Sequence, residues 1–267
     1  MYWHTSVYTE SLGNVTNSDT DAALDEILTR RNSHLIFTEA YSLMAAWAFG
    51  ANLGRMRFAN AALTQLGSNH IWPIDISATV PDDPAVYDLR DAPMKLPENE
   101  ELTIETTTTA VGPAQHGAVL WLALPEWNMN FPPFLERFKT RATAVVAAGS
   151  ETTWTALSEL VFERDLLNGV YAVVGANVVA ANAIAFRFRF PDQPAVRGRQ
   201  HRPGGLVQDT AALAPWPAQM GGLGEWGRFH TFTPPEIQVF ADAAGGTYEI
   251  RLDLLYLGQD KGLLRGR

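Results

Sequence analysis

One pattern occurs twice in this chain, about 130 residues apart. Trp47-Ala-Phe-Gly-Ala-Asn52 is followed by Arg55-Met-Arg-Phe58, and Val173-Val-Gly-Ala-Asn177 by Arg187-Phe-Arg-Phe190. From Asn52 to Asn177 is 125 residues, and from Arg55 to Arg187 is 132. Each half then closes on two alternating runs. The first pair is Leu102–Thr109 and Ala118–Leu124, with Gly112-Pro113 between them; the second is Ile237–Ala241 and Thr247–Leu254, with Gly245-Gly246 between them. Both read as β-hairpins. A near-constant offset with matching element order is the mark of a duplicated domain, and chance similarity between two β-rich halves is the competing reading.

The local signals mix strands with helices. Ser18-Asp-Thr-Asp21 offers caps and first-turn acids, and Ala22, Ala23, Ile27 and Leu28 follow at helical spacing, which predicts a helix ending at Arg30-Arg-Asn32. Ile36–Arg57 reads as one or two strands, with Gly50 and Gly54 permitting a bulge, and Glu39–Phe49 within it also fits a helix. Prolines 73, 81, 84 and 93 divide residues 70–100 into a long connection. The Thr-rich run Leu102–Thr109 favours a pleated strand. Pro125–Pro133 is the predicted domain boundary. Two helices are predicted beyond it, Phe134–Ala148 and Glu151–Leu167, the second with Trp154, Leu157, Leu160 and Val161 as its apolar stripe and Asn168-Gly169 as its stop. Phe186, Phe188 and Phe190 alternate with Arg187 and Arg189, a period of two. In the last run Ile250, Leu252 and Leu254 are expected inward, and Arg251 and Asp253 outward. The segment Pro191–Phe229 reads as a long loop, a length usually tied to function or to a partner.

Composition narrows the function classes. A hydrophobic share of 46% in 267 residues supplies a packed core. The net charge of −9 argues against simple electrostatic binding of nucleic acid. The charge is uneven: residues 1–149 carry 9 Lys and Arg against 17 Asp and Glu, and residues 150–267 carry 11 against 12. Without cysteine there is no disulfide, no thiolate metal site and no thiol catalysis. The start, Met1-Tyr-Trp-His-Thr-Ser6, has neither a basic nor an apolar leader region, so a soluble chain made in the cytosol is expected.

No chemistry-bearing motif stands out. His4, His34, His70, His116, His201 and His230 show no paired-ligand spacing, and no metal or cofactor is expected. Phosphate-loop and nucleophile-elbow motifs are missing. Gly221–Gly227 is glycine-rich without a following helix and reads as a flexible loop. Asp82-Asp83 and Glu98–Glu101 fit no calcium-loop spacing and read as solvated acids. The densest basic run holds Arg197, Arg199 and Arg202, either as a solvated loop or as a contact with an anionic partner. Trp216, Trp226 and Phe229 share its segment and suit either a subunit interface or packing onto the domain's own sheet.

Phe232-Thr-Pro-Pro-Glu-Ile-Gln-Val239, the Gly-Gly turn and Tyr248-Glu-Ile-Arg-Leu-Asp-Leu-Leu-Tyr256 resemble the last hairpin of a jelly-roll capsid domain. The duplicated order resembles the double jelly-roll major capsid proteins of tailless icosahedral viruses, the corticovirus and finnlakevirus groups among them, over roughly residues 36–257. The resemblance implies a mainly β chain, two tandem jelly-roll sandwiches with a few short helices. It would comprise an N-terminal arm and helix at 1–35, a first jelly roll at 36–130, a helical connection at 131–168, a second jelly roll at 169–258 and a basic tail at 259–267. It also implies a non-enzymatic structural protein of the virion, synthesised in the host cytoplasm, forming pseudo-hexagonal homotrimers that tile a shell. Its partners would be itself, other virion proteins and an internal membrane or genome. Arg197, Arg199, Arg202, Trp216, Trp226 and Phe229 are the candidate interface. A lectin-like carbohydrate-binding sandwich is the alternative, and a cupin- or glycosidase-type enzyme is disfavoured for want of ligand or acid pairs.

Overall fold

A computed structural model describes residues 3–15, 21–23, 25–26, 34–36, 41–50, 53–59, 70–71, 87–96, 101–108, 112–123, 131–146, 154–180, 183–192, 204–206, 224–241 and 245–265. The chain divides into two compact units, Tyr2–Glu126 and Trp127–Arg267.

In the first unit the strands are β1 (Trp3–Val15), β2 (Asp21–Ala23), β3 (Asp25–Glu26), β4 (His34–Ile36), β5 (Tyr41–Gly50), β6 (Leu53–Ala59), β7 (His70–Ile71), β8 (Tyr87–Asp88), β9 (Met94–Leu96), β10 (Glu101–Thr108) and β11 (Gly112–Ala123). One sheet runs β3-β1-β11-β5-β8, with β9 also on β5. The other runs β2-β10-β6-β7, with β4 also on β10. In the second unit they are β12 (Glu136–Val146), β13 (Trp154–Ala156), β14 (Val161–Phe162), β15 (Val170–Val179), β16 (Ala183–Arg189), β17 (Gly204–Leu206), β18 (Gly227–His230), β19 (Glu236–Ala241) and β20 (Gly246–Gly258). Its sheets run β14-β12-β20-β15-β18 and β13-β19-β16-β17.

Taking the main strands of each unit in chain order, the first, eighth, third and sixth lie side by side in one sheet. The second, seventh, fourth and fifth form the other. Apart from the fourth and fifth, which pair with each other, consecutive strands alternate between sheets, the strand order of a jelly roll. Every pairing within these sheets is antiparallel. The protein is thus mainly β, a tandem double jelly roll.

The duplication reaches into the ladder defects. An extra residue interrupts the third strand at Met44 in β5 and at Val174 in β15, which stand 130 residues apart. Another interrupts the fourth strand at Gly54 in β6 and at Ile184 in β16, again 130 apart. Bulges redirect a strand and fix its register, so two at one offset tie the units together more tightly than their residue identities do. Tyr41 and Tyr171 also share that spacing, and both are buried.

Five sequence expectations are corrected. Phe134–Ala148 is not a helix; Glu136–Val146 forms β12, paired along its whole length with Gly246–Tyr256 of β20. Thr140, Ala142, Ala144 and Val146 are buried while Arg141, Thr143 and Val145 are exposed. The period of two was hidden because Thr and Ala contrast weakly with their neighbours, and helix propensity in the run is overridden by a long partner. Glu151–Leu167 is not a helix either but holds β13 and β14; Leu157 and Leu160 are buried, whereas Val161 is exposed, so no single stripe exists. The helix expected after Ser18 is replaced at its described positions by β2 and β3, which pair with β10 and β1. A short isolated helix carries a nucleation cost that ready ladder partners remove. The arm expected over 1–35 likewise contains β1, paired with β11 from Trp3 to Val15.

The fifth correction concerns the closing hairpins. β10 and β11 lie in different sheets, and so do β19 and β20. Gly112 starts β11 rather than forming a turn. Alternation and a glycine turn signal two adjacent strands; they do not signal whether the strands pair or change sheets.

The second unit's core is built from alternate residues. Val173, Ala176, Val178, Tyr248, Ile250, Leu252 and Leu254 of one sheet are buried, as are Phe186, Phe188, Ile237 and Val239 of the other. Burial of this apolar surface stabilises the unit by about 25 cal/mol per Å². The other face of the first sheet is covered at one end. A C-terminal 3-10 helix, Lys261–Arg265, places Leu263 and Leu264 over Val170, Ala172, Val174, Leu255 and Leu257. That cover explains why β15 is buried on both faces. The Arg228 guanidinium, paired with Glu225, donates to the Leu263 carbonyl and holds the helix in place.

Candidate functional site

Trp226 and Phe229 are buried within the second unit. Trp226 has no exposed surface, stacking on Phe186 with centroids 6.3 Å apart and meeting Phe188 edge-on at 5.7 Å. Its backbone N–H donates to the Val173 carbonyl, pinning the approach to β18. Phe229 has none either, and it stacks on Tyr171 at 5.6 Å. Of the two readings open in the sequence, packing onto the domain's own sheet is the outcome. Arg197, Arg199, Arg202 and Trp216 lie outside the described residues.

Large apolar groups are exposed elsewhere. Phe134, Leu135, Leu167 and Phe232 are exposed, Phe232 at 75%, and Phe131 is at the edge of that class. They share one end of the second unit. β12 begins there opposite the end of β20, with Glu136 paired to Tyr256, and Val170 of β15 pairs with both Gly258 and His230. Thr231 N–H donates to the Gly169 carbonyl, and Tyr256 OH donates to the Asn168 carbonyl, which binds the two loops together. β16 ends and β17 begins here too, since Arg187 pairs with Gly204 and Arg189 with Glu236. The connection that carries Arg197, Arg199 and Arg202 therefore leaves and re-enters the sheet at this end. Sequence reasoning passed over these apolar residues because Phe134, Leu135 and Leu167 sat in expected helices, Phe131 in the expected boundary and Phe232 at the head of the stretch read as the last hairpin.

Beneath this end lies an aromatic cluster. Tyr171 touches Phe138 edge-on at 5.8 Å, Phe229 at 5.6 Å and Tyr256 at 5.1 Å. Burial, then the neighbouring Tyr256, pushes the Tyr171 phenol up to about 12, although its hydroxyl donates to the Leu167 carbonyl at 3.0 Å. His230 is buried, and its Nδ1 accepts from the Phe232 N–H at 3.3 Å, so this histidine closes a turn. Among the described residues, no cluster of three His, Asp or Glu could hold a metal ion, and no helix is long and apolar enough to cross a membrane.

The exposed face of the β12-β20-β15 ladder is charged. Arg137 grips Asp253 with two bonds, 3.1 Å from Nε and 2.6 Å from Nη2; hydrogen bonding to Asp253 raises the arginine's pKa. Arg141 Nε meets Glu163 at 3.2 Å and Arg251 Nε meets Glu249 at 2.6 Å. A groove of about 220 Å³ opens between these residues, floored by Gly175, Ala176 and Asn177.

No protein-family model and no curated protein matches the chain. Two solved structures are similar to it over nearly their whole length. The STIV major capsid protein is 9% identical, with 93% of this chain and 96% of that one covered and a TM-score of 0.25. The major capsid protein of bacteriophage PM2 is 10% identical, with 96% and 99% covered and the same TM-score. The double jelly-roll assignment itself rests on the strand order of each unit.

Proposed function

We propose that this protein is a structural subunit of a viral capsid, non-enzymatic, assembling as homotrimers that tile a closed shell. The observation that carries this reading is the doubling itself. Two sandwiches in one chain, alike in strand order and in bulge positions, give six similar modules when three chains meet. Six modules around a point form a pseudo-hexagon, which packs edge to edge. The resemblance read from the sequence points the same way.

Charge supports self-association. The first unit carries 6 Lys and Arg against 16 Asp and Glu, a net of −10, and the second carries 14 against 13, a net of +1. Packing that sets a first unit of one copy against a second unit of the next is favoured over like against like. The end of the second unit with Phe134, Leu135, Leu167 and Phe232 is our candidate contact with the acidic unit of a second copy. The connection with Arg197, Arg199 and Arg202 would supply its cations, and Trp216 belongs to the same proposal. The location is the virion, after synthesis in the host cytoplasm, with other virion proteins and an internal membrane or genome as further neighbours.

The test is direct. Light scattering and negative-stain microscopy of the purified chain should show trimers of hexagonal outline that form shells. A chain that stays monomeric at micromolar concentration from low to high salt, with no particle formed, overturns the reading.

A further inference from the structure

The internal repeat supplies a control for every position on the ladder. By register, Lys139, Arg141, Asp253, Arg251, Gly175 and Asn177 of the second unit correspond to Thr5, Val7, Trp121, Val119, Ala45 and Trp47 of the first. The fold therefore does not require charge at these positions. In the second unit they carry four charged groups and an amide, gathered around one groove.

The arrangement is incomplete by itself. Arg141 stands directly opposite Arg251 in the ladder, and like charges directly opposite destabilise a sheet. Lys139 has no ion-pair partner among the described residues, and the Arg141 guanidinium engages Glu163 through Nε, with no bond from its Nη groups among those residues. Counting Arg137 and Glu249, which pair into the cluster, four cations meet three anions among the described residues. A further negative group beside Lys139 and Arg141 would balance the charge. At about 220 Å³ the groove admits it together with a short stretch of chain, since a water occupies roughly 30 Å³.

We infer that the groove bounded by Lys139, Arg141, Arg251 and Asn177 receives a carboxylate-bearing segment from the first unit of a second copy of this chain. This rests on the self-assembly proposed above. The occupant follows from charge, since each copy brings a unit of net −10 together with one of net +1. The carboxylate sits between Lys139 and Arg141 and relieves the Arg141–Arg251 repulsion. It also satisfies donors that a neutral contact would strand.

The test uses the residues that the first unit already carries. Lys139→Thr with Arg141→Val reproduces Thr5 and Val7, so the fold tolerates the exchange. The variant should keep the wild-type circular dichroism and melting temperature. Its self-association, followed by sedimentation across protein concentration, should require about tenfold more protein. Lys139→Glu with Arg141→Glu should require more still, and the wild-type chain should weaken with added salt more steeply than either variant. Equal assembly of the Thr/Val variant and wild type at all salt concentrations overturns the inference while leaving the capsid reading intact. A wild-type chain that never associates removes both. Inorganic phosphate is the control for a small-anion site. A phosphate-dependent rise in melting temperature, lost in the variant while association stays unchanged, assigns the groove to free anions and overturns the second copy as occupant.

Discussion

The two units share a backbone and differ in what they show outward. Both place an extra residue in the third and fourth strands at one spacing, Met44 and Val174, then Gly54 and Ile184. On the first sheet of the first unit, Leu43–Ala46 and Leu120–Ala123 are buried without interruption. In the second unit β15 is buried in the same way, but β12 and β20 alternate, with Lys139, Arg141, Glu249, Arg251 and Asp253 among their outward residues. What persists after a duplication is the set of features that fix strand register, because a one-residue slip moves every side chain to the wrong face. Surface chemistry is under no such constraint and is free to diverge.

The largest expected effect tests whether the units are energetically separate. Trp226 packs in the second unit's core against Phe186 and Phe188. Trp226→Ala should cost about 3–5 kcal/mol, through lost transfer energy and the cavity left behind. Calorimetry should show one transition lowered and another left in place. A single transition that moves as a whole would mean that the units unfold together.

A smaller effect probes where the repeat fails. Gly169 precedes β15 with φ +153°, and a Cβ there would stand 2.6 Å from the Gly258 carbonyl oxygen. The residue 130 positions earlier is Glu39, which lies outside the described residues. Gly169→Ala should cost roughly 1–3 kcal/mol in the second unit alone, from strain and a backbone clash. Chemical denaturation that finds the variant as stable as wild type would show that the strand start is permissive.

The smallest effect divides the tyrosines that the units share. Tyr171 titrates near 12 rather than near its ordinary 10. A raised pKa favours the neutral form in the folded state. Its contribution is therefore complete below pH 10 and is lost as pH rises toward 12. Tyr171→Phe should flatten that alkaline limb after the loss of one hydrogen bond is taken into account. A limb of unchanged depth would move the effect to other groups, with Tyr41 the first to test.

Much of the fold was legible because β periodicity is local. The Thr-rich β10, the alternating phenylalanines of β16 and the inward Ile250, Leu252 and Leu254 of β20 all read correctly from sequence. The repeat was legible too, though identity matching set Arg55 beside Arg187, whereas the bulges align Arg57 with Arg187. The misreadings fall where contrast is low or the partner is distant. β12 alternates Thr and Ala against Arg and Thr, which a helix could also use, and only β20 along its flank makes it a strand.

The sequence alone determined a β-rich chain, its duplication and the electrical imbalance between its ends, all properties of residue type and order. Tertiary structure decided which strands share a sheet, that Trp226 and Phe229 turn inward, and that Lys139, Arg141 and Arg251 meet around one hollow. Strand partners in this fold are separated by tens to more than a hundred residues, as Arg141 and Arg251 are. Which side chains become neighbours is therefore set by loop closure and core burial across the whole sandwich, and no local window of sequence contains that information.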